Sequence, residues 1–177
     1  MAGRGKTKTL MEITYTIKSK QIDDLFRKLI RRSVNLRPAL VSIGEKLVDS
    51  IEQNFEDEGR PKKWKPLSPP TLRARRKKGY TGPILQATGQ LAASIANNVD
   101  VEADAVYVGA KEYGKYVHFG TKQNVTPRQR MWLGKNLGLW KKVGDKLETP
   151  ARPFMLVQDE DIDFAEKRML DHLTANL

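Results

Sequence analysis

Between Tyr107 and Thr121 the chain reads Tyr-Val-Gly-Ala-Lys-Glu-Tyr-Gly-Lys-Tyr-Val-His-Phe-Gly-Thr, an order that forces a strand to end in a tight, aromatic turn. Val106 and Val108 alternate with Tyr107 as on a half-buried strand, and Gly109 stops the run where a turn costs least. Tyr113, Tyr116 and Phe119 recur at intervals of three, so a short helical turn brings them to one side, and Gly120 is free to take a positive φ. His118 lies inside this cluster. The chain has no cysteine and one other histidine, His172, so a catalytic or metal-bound His118 lacks an evident partner. His118, Phe119 and Gly120 are therefore read as a structural turn.

The flanking segments supply the scaffold. Residues 1–9 are rich in Gly, Lys, Thr and Arg and read as a flexible arm; Leu10–Lys18 alternates Met11, Ile13, Tyr15 and Ile17 against polar residues, a first strand. Ile22, Leu25, Phe26, Leu29 and Ile30 predict an amphipathic helix over 20–34, and Leu40, Ile43, Leu47, Val48, Ile51 and Phe55 a longer one from Pro38 to Asp57, stopped at Glu58-Gly59. Both are expected to pack on a sheet, since neither is stable alone. Thr88 is the expected cap of a helix that turns Leu91 and Ile95 inward, and Val99 and Val101 face Val106 and Val108 across a hairpin. A final helix over 159–175 places Ile162, Ala165, Met169 and Leu173 inside. The fold class is thus α+β: a small antiparallel or mixed sheet, two long N-terminal helices and a C-terminal helix, in a single domain over 10–177.

Charge is distributed unevenly along this frame. The net charge is +11, yet from Gly59 to Val99 there is no acid at all against nine bases, and from Asp159 onward six acids face two bases. One end has the charge to dock on the other. Residues 59–82 form an extended basic segment in which Pro61 and Pro66 bracket Trp64 and hold it as a large apolar anchor; Ser68-Pro69 opens a short basic helix to Lys78. Two readings stand for Lys62, Lys63, Arg73, Arg75, Arg76, Lys77 and Lys78: a solvated face, or a surface toward DNA or an acidic partner. Pro150 and Pro153 stiffen the turn that carries Arg152, whose planar fork can grip a carboxylate or backbone carbonyls, and Phe154 is expected to bury near Phe119, Tyr113 and Tyr116.

No run nears the roughly 18 apolar residues of a membrane span, and the N-terminus lacks an apolar signal segment, so a soluble intracellular product with no membrane partner is expected. Without a phosphate loop, paired histidine ligands or a nucleophile motif, the chain reads as no enzyme and as needing no cofactor.

Five short motifs in order, Trp64-Lys-Pro-Leu-Ser68, Leu85-Gln-Ala-Thr-Gly-Gln-Leu91 with Ser94-Ile95, Val106-Tyr-Val-Gly109, Tyr116-Val-His-Phe-Gly-Thr121 and Pro150-Ala-Arg-Pro-Phe-Met155, resemble the phage virion morphogenesis, or tail-completion, family of tailed bacteriophages. Members of that family run more directly from the His-Phe-Gly turn to the Ala-Arg-Pro-Phe turn, so residues 125–147 read as a peripheral insertion. The resemblance implies a non-enzymatic virion protein of the head–tail junction, assembled in the host cytoplasm as a ring of copies of itself, hexameric or dodecameric, beside neck, connector or tail-terminator proteins. It makes Trp64, Pro66, Leu67, Arg152, Pro153 and Phe154 candidates for assembly contacts and packaged DNA a candidate non-specific contact for the basic segment. A basic nucleic-acid-binding module acting without a ring is the alternative.

Overall fold

The computed structural model describes residues 20–140 and 144–175; the arm and the strand expected over 1–18 lie outside them. Its centre is helix α2 (Arg37–Glu56), started by a proline in its first turn and buried along Ala39, Leu40, Ile43, Ile51 and Phe55. A β-hairpin of β1 (Val99–Val101) and β2 (Val106–Val108) lies against α2, with Val99 opposite Val108 and Val101 opposite Val106. The approach is close at Gly44, where an added Cβ would come within 2.9 Å of Val106 Cγ2. Helix α7 (Asp159–Thr174) covers another side of α2, and α4 (Gln90–Ala96) turns Leu91, Ser94 and Ile95 into the same core.

Among the described residues the strands form two separate antiparallel pairs and not one sheet. The second pair, β3 (Thr121–Asn124) and β4 (Lys146–Thr149), is a ribbon in register from Thr121·Thr149 to Asn124·Lys146. Between its strands lies α6 (Pro127–Leu137), so most of residues 125–147 sit at the ribbon's far end, where α6 touches the basic helix α3 (Pro69–Lys77). Thr126 and Gln129 close a reciprocal capping box that fixes the start of α6. Leu133 is buried, Leu137 half-buried, and Trp140 lies over Gly134, a position that any side chain would fill.

Several expectations are corrected. Among the described residues helix α1 (Lys20–Ser33) packs on α7 and not on a strand pair, and Ile22, Leu25, Phe26 and Ile30 stay exposed, while the β1–β2 pair lies against α2. On α7 Ile162 points outward, 49 % exposed, while Asp161 beside it is buried. Thr88 is not a cap; Gly89, at φ 69°, holds the position before α4 with no side-chain bond. In contrast, the Ser68 hydroxyl does accept from the Thr71 amide to cap α3.

One buried polar network ties these parts together. Asn54, completely buried on α2, donates through Nδ2 to the Phe154 and Leu156 carbonyls at 2.9 and 3.3 Å and accepts at Oδ1 from Arg60 Nε at 2.9 Å. Arg60 Nη2 reaches the Ser50 carbonyl and hydroxyl, and the Ser50 hydroxyl donates to Asp161 Oδ2 at 2.6 Å. Asn54→Ala leaves two carbonyls and a guanidinium short of partners, and a loss of about 2–4 kcal/mol is expected. Urea unfolding of parent and variant measures it, and a change within error would show that water replaces the amide.

Candidate functional site

The Pro150–Phe154 turn is where the expected assembly residues converge. Its backbone enters the core: the Arg152 amide donates to the Val117 carbonyl at 2.9 Å, and Trp64 Nε1 donates to the Pro153 carbonyl at 3.1 Å. Phe154 is buried between Phe55 and His118, ring centroids 5.3 Å away on each side. It reaches the expected cluster through His118, while Tyr113, Tyr116 and Phe119 themselves face outward, Phe119 at 77 % exposure. Trp64 is corrected: only 5 % exposed, it packs edge-on against Phe55 at 5.8 Å and belongs to the core. The bracketing prolines thus direct Trp64 inward, where it stabilises the single subunit.

Arg152 is the unusual member. The residue is 6 % exposed; its Nη2 donates to the Lys65 carbonyl at 3.0 Å, and Nε is buried with no acceptor. Burial pushes the guanidinium's pKa down from the ordinary arginine value, the direction expected when a charge leaves water. Arg152 forms part of a cleft of about 570 Å³ that it shares with Pro66 and Leu67 on one side and the ribbon on the other. The turn therefore splits the candidates. Trp64, Pro153 and Phe154 serve the interior, while Pro66, Leu67 and Arg152 border open space.

The basic residues divide in the same way. Arg60 pairs with Glu160 at 2.9 Å, so the first turn of α7 does dock on the basic segment within one chain. Lys63 bonds to the carbonyl and carboxylate of Asp57, whose carboxyl a hydrogen bond from Gln53 holds below the usual carboxylate range. Arg75 donates to the Gly82 and Pro83 carbonyls and closes the loop after α3. Lys62, Arg73, Arg76, Lys77 and Lys78 are exposed, and none is in an ion pair with an acid among the described residues.

His118 ends α5 (Gly114–His118), and Gly120 follows at φ 72°, where an added Cβ would meet the Thr149 carbonyl at 2.6 Å. The sequence-level demand for a glycine at this turn is thus met by a close crossing as well as by φ. His118 Nδ1 accepts from the Met155 amide at 3.5 Å, and its ring meets Phe119 and Phe154 edge-on. No group of three metal-ligating side chains exists among the described residues, and none of their helices is long and apolar enough to cross a membrane. Asn54, Ser50 and Asp161 were missed as site-forming residues. The available signal was an Asn and a Ser on the apolar stripe of α2, where polar groups stay only if bonded.

Two measurements follow from this geometry. Trp64→Ala is expected to cost about 3–5 kcal/mol of subunit stability through lost burial and a residual cavity, read by denaturant unfolding; an unchanged subunit would mean that Trp64 is not a core residue. Burial lowers the His118 pKa below 6.5. As the pH falls through 6.5 the unfolded chain therefore takes up this proton first, and stability declines until the folded-state pKa is passed. Melting of the parent and of His118→Gln at pH 7.5 and 5.5 is expected to show a smaller loss in the glutamine variant, and equal losses would refute the assignment.

The model of the phage virion morphogenesis family matches residues 17–174 of the chain. No curated protein and no solved structure matches it.

Proposed function

The chain belongs to the phage virion morphogenesis family, and from that premise we propose that it is a structural protein of the phage head–tail junction, completing the tail or joining it to the head as a ring of its own copies. A role in building the virion comes with the family; the position and the ring are our reading. What carries the ring is the separation of charge on exposed helix faces. Arg73, Arg76 and Lys77 stand outward on α3, and Asp159, Asp163 and Glu166 stand outward on α7, none of them in an ion pair within the subunit among the described residues. Charges of opposite sign on two different helices of one subunit suit a head-to-tail contact between copies. In such a ring the neighbours are connector, neck or tail-terminator proteins, and assembly takes place in the host cytoplasm.

The exposed cations of α3 also favour a second reading, contact with DNA phosphates without sequence readout. In a ring the two are compatible, with packaged DNA passing the basic face; as a module acting alone, the subunit would bind duplex DNA by itself. In this reading the role is architectural, carried by contacts between copies and neighbours.

Phage lacking this protein is expected to accumulate filled heads and separate tails by electron microscopy, and joined, infectious particles in its absence would sink the proposal. Reversing Arg73, Arg76 and Lys77 to Glu should prevent rescue while leaving the subunit folded. Light scattering at 50 and 500 mM salt separates the readings: salt-sensitive self-association supports the ring, whereas a persistent monomer that binds duplex DNA tightly favours the lone module.

A further inference from the structure

The cleft between α3 and the ribbon holds a guanidinium that no acid among the described residues pairs with. Arg152 is 6 % exposed and lies in no ion pair among the described residues; the Lys65 carbonyl meets one of its N–H groups, and Nε has no acceptor. A guanidinium carries five donors, and leaving a buried one without a counter-charge is costly to a fold. Leu67 and Leu133 give the cleft apolar walls, Lys65 and Lys146 add positive charge, and Glu148 is the one acid among its lining residues. An occupant must bring a carboxylate between two apolar groups.

Helix α7 presents that combination. Glu166 is exposed and belongs to no ion pair among the described residues. Four residues before and after it on the same face stand Ile162 and Leu170, 49 % and 60 % exposed. We propose that Glu166 of one copy enters the cleft of the next and pairs with Arg152, while Ile162 and Leu170 cover the apolar walls. The inference rests on the ring of head-to-tail contacts proposed above and moves the decisive contact from the open face of α3 to the cleft beside it. Because α7 packs on α2 and α1 whereas the cleft is built from α3, the ribbon and α6, each copy gives one face and receives with another. Such a contact repeats and closes into a ring or runs on as a filament.

The test uses the full chain at low salt, with light scattering as the readout. Arg152→Met keeps volume and removes the charge; Glu166→Ala changes only an exposed side chain. Each variant alone is expected to associate at least about 30-fold more weakly than the parent, as when one partner of a desolvated charge pair is removed. Mixed one to one, they are expected to form discrete heterodimers, because one intact socket then meets one intact carboxylate and propagation stops. A Glu166→Ala protein that assembles like the parent overturns the pairing and leaves the head-to-tail reading standing. A mixture that stays monomeric also overturns it, and a parent that never associates removes both. Glu166→Ala keeps the test decisive even if Arg152→Met fails to fold.

Discussion

Everything in this subunit hangs on a carboxamide that three chain segments share. Asn54 satisfies the carbonyls of Phe154, at the end of the Pro150–Phe154 turn, and of Leu156 just after it and, on its other side, receives Arg60, which in turn reaches Ser50 and Glu160. A fully buried amide is tolerable only when both ends are bonded, and bonding both ends fixes where those segments run. Phe154 then has one place to go, against Phe55, and Trp64 closes over it. Asp161 completes the pattern from α7: it accepts from Ser50 and from the Gln158 amide, a negative charge at the positive end of its own helix. Apolar burial supplies the driving force here, but this polar chain selects the arrangement.

That division explains what could be read in the chain before its fold was known. The helices over 37–56, 69–77 and 159–174, the Val99–Val108 hairpin, the Ser68 cap and the positive φ at Gly120 are local matters of period, cap and turn, and they appear where expected. The family match over 17–174 agrees with the resemblance carried by five short motifs. What was not legible depends on partners far along the chain. A tryptophan between two prolines in a charged loop looks like a surface anchor until Phe55 and the Pro153 carbonyl are brought to it. The outward turn of Ile162 was hidden similarly, since Asp161 takes the buried position through Ser50, a residue 111 places earlier.

Among the candidate residues, sequence identified the right neighbourhood and blurred its two faces. Arg152 does bond a backbone carbonyl across 87 residues. Yet the five residues of the Pro150–Phe154 turn look inward and outward at once, and no local pattern tells which side chain takes which side. The charges behave alike. Arg60, Lys63 and Arg75 have been taken up in holding the fold, and of the basic segment's cations Lys62, Lys65, Arg73, Arg76, Lys77 and Lys78 stay exposed with no acid paired to them among the described residues. Net charge alone overstates what is free for partners.

The ribbon gives the subunit a lever. Its two strands leave and rejoin the body at Gly120 and Pro150, and the second junction is the first residue of the turn that carries Phe154 and Arg152. Helix α6 sits at the distal end, braced by Trp140 over Gly134 and touching α3. Through the ribbon, α6 is joined to Pro150, the first residue of the turn that closes the core and borders the Arg152 cleft. In the assembly proposed above, a contact at the tip and the filling of the cleft would therefore bear on the same turn.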